Sequence, residues 1–171
     1  MSWILRGGFV MWPLLFLSVL TSFVIVERFL FWRRERGFPA RAALELAMRR
    51  LELDRLDGPS IEAGLGAEQR RLERGMTWLD TVVTAAPMLG ILGTVLGIID
   101  SFELLSAEFV VDPLAMSGGV AKALLTTATG LAIALVTIFP FNFFRARLTD
   151  RLEELEREGR RMQSSLLEDS L

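Results

Sequence analysis

Four threonines, Thr94, Thr126, Thr127 and Thr137, stand in stretches without an ionisable side chain. A hydroxyl donates one hydrogen bond and accepts two, so it can hold a carboxyl group or a water in apolar surroundings. It does not titrate near neutral pH, so it cannot itself carry a proton as charge. The chain contains no His, Cys or Tyr. That removes the usual general base, the commonest metal ligand, any Ser–His hydrolytic pair and any disulfide or thiolate metal site. Asp, Glu, Lys and Arg are absent from residues 81–99 and 123–144, so a pair of membrane carboxylates for peptide hydrolysis is missing too. No enzyme activity, metal or cofactor is expected. If the chain moves protons, the titrating carboxylate must come from another chain, with threonine hydroxyls around it.

The spacing around these threonines is specific. In "TAAPMLGILGTVLGIID", residues 84–100, Ala86, Gly90, Gly93 and Gly97 fall within about 60° of one another on a helix, with Thr94 at the edge of that stripe. In "AKALLTTATGLAIALVTIFPF" the residues Ala123, Thr127, Gly130, Ala134 and Thr137 share one face. Lipid is as apolar as leucine, so membrane helices associate through close backbone packing and hydrogen bonds, and small residues permit both. Two matched stripes therefore have two readings at this point. They are helix–helix contacts, with each threonine bonded to a carbonyl one turn back, or they are the wall of a narrow, weakly polar pore.

The elements that carry these residues are membrane spans. The chain has 171 residues, 51% of them hydrophobic, and a net charge of −2. Its mean hydropathy is +0.40. No global field points to nucleic acid. Residues 9–26, 81–99 and 123–144 are free of charge and of spanning length, or nearly so. Spans are expected over about 9–32, 79–103 and 120–144. The first lacks the flanks of a cleaved signal peptide, because its basic cluster follows it. Of 19 basic residues, only Arg6 and Lys122 fall outside residues 27–78 and the tail from 145. The positive-inside rule then places residues 33–78 and 145–171 in the cytoplasm and the N-terminus on the outer side. Trp3, Phe9 and Trp12 at one end of span one, and Phe29, Phe31 and Trp32 at the other, suit interfacial belts. The Leu/Phe/Val surface of that span reads as lipid-facing.

The expected fold is all-α: one membrane domain, residues 1–171, with three transmembrane helices, two of them continuing as long cytoplasmic helices. The segment 40–57 reads as a helix with Ala40, Leu44, Ala47 and Leu51 on one face. "DGPS" breaks the chain, and Ser60 caps the next helix, which runs into span two without a loop. Asp112-Pro113 and Gly118-Gly119 mark turns in the outer segment. In the tail, Leu148, Leu152, Leu155, Gly159, Met162 and Leu166 form a heptad-like seam for another helix. Glu153 with Arg157, and Glu156 with Arg160, make i,i+4 pairs. The remaining charged faces read as solvated surface.

Three of these stretches carry a resemblance. "TAAPMLGILGTVLGIIDSF" resembles the signature of the ExbB and TolQ family, a Thr-Ala-Pro segment leading into Leu-Gly-Leu-Leu-Gly-Thr-Val-x-Gly-Ile. "GGVAKALLTTATGLAIALVTIFPFN" resembles that family's third span, and "GGFVMWPLLFLSVLTSFVIVERFLFWRR" its first, including the Glu-Arg pair. The likeness covers nearly the whole chain in order and is to the short ExbB type. It implies a proton-channel subunit in the inner membrane of a Gram-negative bacterium, N-terminus periplasmic and C-terminus cytoplasmic. It implies a homopentamer around the helices of an ExbD-like subunit, whose membrane Asp carries the proton, and a TonB-like protein that the complex energises. The family's pore threonines map onto Thr94 and Thr127; Thr126 and Thr137 are added as candidates for the same pathway. The family often has a Glu near the outer end of span three, where this chain has Lys122. Lys122 either reaches the headgroups or pairs with Asp100 or Glu103 at an outer pore mouth.

Overall fold

Hydrocarbon offers no partner to a backbone N–H or C=O, so long uncharged stretches are driven to helix within it. A computed structural model describes residues 8–53, 57–107 and 113–168, and every regular element among them is an α-helix. α1 runs Met11–Glu35, α2 Ala40–Arg50, α3 Gly58–Glu73, α4 Met76–Ala107 and α5 Pro113–Glu168. Of these, α1, α4 and α5 are long and apolar enough to cross a membrane. The chain is an all-α membrane protein. Trp3, Arg6 and Asp112 lie outside the described residues.

The chain divides into two compact units, Met1–Val26 with Trp78–Phe141, and Glu27–Thr77 with Asn142–Leu171. The first contains most of the uncharged sequence. Its core gathers Val10, Met11, Leu14, Val82 and Ala86, with Leu17, Leu89 and Ile133 packed against them. Phe16, Val19 and Phe23 on α1 are 64–68% exposed, which in water would be an aggregation liability and in a bilayer is ordinary lipid-facing surface. Gly118 and Gly119 do not turn the chain. α5 starts at Pro113, where a missing N–H costs little, and runs through both glycines. Gly119 gives up its side chain because Ser101 fills the space where a Cβ would stand.

The second unit is built on glycines and ion pairs. α2 packs on α3, where Gly64 leaves room for Met48, whose Cγ lies 2.9 Å from where a Cβ would stand. The seam on α5 buries Leu155, Gly159 and Met162, and Gly159 receives Leu65 and Ile61 of α3. Its exposed pairs, Glu153–Arg157 at 3.3 Å and Glu156–Arg160 at 3.6 Å, are worth little. α3 is capped by Asp57, whose carboxylate accepts from the Ser60 backbone N–H at 2.9 Å, so Ser60 supplies the donor and is not the cap. Nor does α3 run into α4. Arg74 is extended and Gly75 has φ +86, a left-handed value that a β-carbon resists. The Arg28 side chain lies against Gly75, its Nε 2.7 Å from where a Cβ would be.

Several charges expected to be solvated are buried. Arg28, Glu35, Glu68 and Arg151 are each under 10% exposed. Glu35 stands at the centre. Its Oε2 accepts from Arg71 at 3.0 Å, and its Oε1 lies 3.7 Å from Arg151. Arg71 also bonds Glu68. Arg151 donates to Phe38 O at 2.7 Å and to Glu154 at 2.6 Å. Arg28 donates to Leu72 O at 3.3 Å, and the guanidinium groups of Arg28 and Arg71 lie 5.0 and 5.3 Å from the Phe31 ring centre. These bonds tie α1, α3 and α5 within the unit. Removing one partner leaves uncompensated buried charge, which costs far more than the intact pair contributes.

Two measurements check this account. Asp57→Ala is expected to lower stability by about 1 kcal/mol, and Ser60→Ala much less, in chemical unfolding of the full chain in micelles followed by circular dichroism. The reverse ranking would return the cap to Ser60. Glu35→Ala is expected to cost about 3–5 kcal/mol in the same assay, because Arg71 and Arg151 lose their shared carboxylate.

Candidate functional site

Close approach of α4 and α5 is set by residues that have almost no side chain. A β-carbon on Gly90 would stand 3.0 Å from Thr127 Cα and 3.1 Å from Thr126 O. On Gly93 it would stand 2.5 Å from Thr126 Oγ1, and on Gly97 2.9 Å from Ala123 Cβ. On Gly130 it would collide with Ala86 O, a backbone atom that cannot swing aside. The stripe Ala86, Gly90, Gly93 and Gly97 thus meets a stripe on α5 at near backbone-to-backbone distance. Ala134, one turn beyond Gly130, is half-buried.

That proximity brings two hydroxyls together. Thr94 Oγ1 and Thr127 Oγ1 are in direct hydrogen-bond contact, and either can donate. Thr127 Oγ1 also lies 2.9 Å from Gly90 O; Thr94 Oγ1 lies 3.2 Å from the same oxygen and 3.4 Å from Ala123 O. Each hydroxyl has one hydrogen. So one hydroxyl donates to a backbone carbonyl and accepts from the other, and the chain can run Thr94 to Thr127 or Thr127 to Thr94. Ending at Thr127, the chain closes on Gly90 O at 2.9 Å; ending at Thr94, it closes on Gly90 O at 3.2 Å or Ala123 O at 3.4 Å. Each arrangement leaves oxygen lone pairs free for one more donor, and a small rotation frees one O–H for one more acceptor.

The four threonines divide by burial. Thr94 and Thr127 are half-buried and keep some surface. Thr126 and Thr137 are 1% and 0% exposed within a single chain. Thr126 donates to Ala123 O at 2.7 Å, and Thr137 to Ile133 O at 2.6 Å. Thr137 closes on its own helix, whereas Thr126 Oγ1 also lies 3.4 Å from Gly90 O of α4 and fills the space that Gly93 leaves. Lys122 lies with its Cε and Nζ 2.5 and 2.8 Å from where a Gly8 β-carbon would be, beside the start of α1. Asp100 and Glu103 are exposed on the last turns of α4. Among the described residues no His/Cys/Asp/Glu group could hold a metal ion.

The buried charges around Glu35 escaped the sequence reading, although a signal was present. Arg28 and Glu35 are seven residues apart, with Trp32 between them, so all three fall on one side of α1. A charge on the same face as a buried aromatic residue points inward.

Residues 40–157 match the MotA/TolQ/ExbB proton channel family. The chain is 30% identical over 174 residues to the putative biopolymer transport protein ExbB-like 3 of Synechocystis sp., covering 83% of each chain. It is 32% identical over 120 residues to a putative biopolymer transport protein ExbB homolog of Methanothermobacter thermautotrophicus, covering 70% of this chain and 38% of that one. It is 33% identical over 88 residues to the Tol-Pal system protein TolQ of Pseudomonas aeruginosa, covering 52% of this chain and 38% of that one. The chain therefore spans most of the first relative and little more than a third of the other two.

Glycines with and without neighbours separate packing from propensity. At Gly118 nothing among the described residues lies within 4 Å of where a β-carbon would stand, so Gly118→Ala is expected to be neutral or to stabilise by up to about 1 kcal/mol. Gly130→Ala is expected to lose about 1–3 kcal/mol through forced separation of α4 and α5. Thermal aggregation of the two variants in the same detergent reads the difference, and equal behaviour would refute the close contact.

Proposed function

The chain belongs to the MotA/TolQ/ExbB proton channel family, and on that premise we propose that it is the channel-wall subunit of a proton-driven inner-membrane motor of the ExbB kind. Copies of the chain, five by the family resemblance, surround a conduit with α4 and α5. Helices of an ExbD-like subunit occupy the conduit and bring the membrane Asp that these spans lack. A TonB-like protein receives the work and drives import across the outer membrane. The concentration of basic residues in 27–78 and 145–171 supports an orientation with those segments in the cytoplasm.

The observation that carries this reading is the half-exposed Thr94–Thr127 pair, set between charge-free helices. A protonated partner Asp is a donor and needs an oxygen lone pair. Once ionised it is an acceptor and needs an O–H. The threonine pair meets both needs by turning its hydroxyls, with no movement of α4 or α5. Each proton crossing releases about 2.3 kcal/mol per 100 mV. Alternating contacts between the Asp and a ring of such pairs convert that release into rotation or displacement of the partner. Thr126 and Thr137 hold the wall together, and Lys122, Asp100 and Glu103 form its outer rim.

A TolQ-like role in envelope maintenance is the second reading, favoured by the likeness to the Pseudomonas protein. Complementation separates the two. Restored siderophore uptake in an ExbB-deficient strain supports the first, restored detergent resistance in a TolQ-deficient strain supports the second, and neither outcome leaves a non-conducting scaffold.

Thr127→Val keeps the volume and removes the hydroxyl. It is expected to leave the oligomer's mass unchanged and to reduce proton-driven siderophore uptake about tenfold, the equivalent of one lost hydrogen bond to a charged group. Full uptake in a correctly assembled variant would remove the threonine pair from the mechanism.

A further inference from the structure

A cleft of about 160 Å³ in the second unit belongs neither to the threonine pair nor to the Glu35 ion cluster. It lies between the last turns of α1 and the part of α5 that follows Asn142. Trp32 and Phe144 form its floor, 9% and 2% exposed. Phe29 and Phe143 form its apolar rim, about half exposed. Arg33, Arg36 and Arg147 form its polar rim.

The two segments run in parallel here, since Glu35 at the end of α1, Arg36 and Gly37 just after it, and Asp150, Arg151 and Glu154 of α5 line one adjoining cavity farther along both. On each helix the aromatic ring precedes the guanidinium by one turn, Phe29 before Arg33 and Phe143 before Arg147. The cleft is therefore graded. Its apolar end is nearer the uncharged spans and its cationic end is farther from them. Among the described residues no ion pair is formed by Arg33, Arg36 or Arg147, although Arg147 lies 5.3 Å from the Phe143 ring centre. Glu35 and Glu154 in the adjoining cavity are engaged by Arg151, which leaves Asp150 as the remaining carboxylate on that side.

An anionic phosphodiester supplies oxygens to the three guanidinium groups of the rim, and an acyl chain covers the exposed Phe29 and Phe143 rings beside the buried Trp32 ring.

We propose that this cleft binds an anionic phospholipid from the leaflet that meets the charged segments, its phosphodiester held by Arg33, Arg36 and Arg147 and an acyl chain lying along Phe29 and Phe143. The site stands apart from proton conduction. It would hold the ends of the first and third spans to the membrane surface through a specific lipid.

Native mass spectrometry of the full chain, extracted from membranes of mixed composition, tests this. Phosphatidylglycerol is expected to be retained over phosphatidylcholine of the same chain length by about tenfold or more. Replacing all three arginines by Gln is expected to reduce phosphatidylglycerol retention about a hundredfold, at roughly fivefold for each charge. Arg33→Gln with Arg36→Gln, at two exposed positions, is expected to reduce it about twenty-five-fold. Should the triple variant fail to fold, the wild-type comparison and this double variant decide. Four results overturn the proposal: equal retention of the two lipids, undiminished retention in the folded arginine variant, displacement of the lipid by glycerol 3-phosphate alone, or an arginine variant that loses its oligomer and keeps its lipid. The last would assign the cleft to a neighbouring copy.

Discussion

A hydroxyl in hydrocarbon has only protein to bond to, and that limit organises the first unit. Thr94 and Thr127 can satisfy each other and share Gly90 O only if α4 and α5 approach almost backbone to backbone. That approach exists because Gly90, Gly93 and Gly130 have no β-carbon to keep the helices apart. In water such glycines would weaken a helix. In a membrane, where apolar side chains gain nothing by meeting each other, the closeness they allow is what makes the helices associate. Glycine spacing and threonine position are therefore one design.

The second unit solves a different problem. Its helices bury Leu44, Leu72, Phe144 and Leu155, and beside them part of its interior is ionic. Glu35 binds Arg71 and Arg151, so one carboxylate on α1 holds both α3 and α5. Such a node adds little net stability over an apolar core. It is directional, however, and a misregistered helix would leave a charge buried and unpaired. Register in this unit is thus enforced by penalty, whereas in the first unit it is enforced by fit.

This difference explains what could be read from the sequence. The three spans rest on the length of charge-free runs, and the glycine stripes and the tail seam on periodicity, both of which a single sequence displays directly. Family likeness then attached a meaning to Thr94 and Thr127 that the pattern alone left open. The break at Gly75 was not legible, because one glycine among several in a helical segment does not announce a positive φ. Gly118-Gly119 misled in the opposite direction, since a paired glycine normally ends a helix and here clears space beside Ser101. The pattern "DGPS" points to Ser60 as the cap on α3, and only the Ser60 N–H bond to the Asp57 carboxylate places the cap at Asp57. For Arg28 and Glu35 the sequence offers only the face they share with Trp32, and burial of Arg151 depends on which helices meet.

The shared acceptor of the threonine pair has a consequence for how the wall responds to charge. Because Gly90 O lies within reach of either hydroxyl, the pair can invert the sense of its hydrogen bonds by rotating two side chains, and the carbonyl keeps a donor in both senses. The backbones of α4 and α5 are held rigidly by close contact, while the O–H dipoles between them stay soft to reorientation. Polarisability at this level therefore resides in two small rotors and not in the helices that carry them.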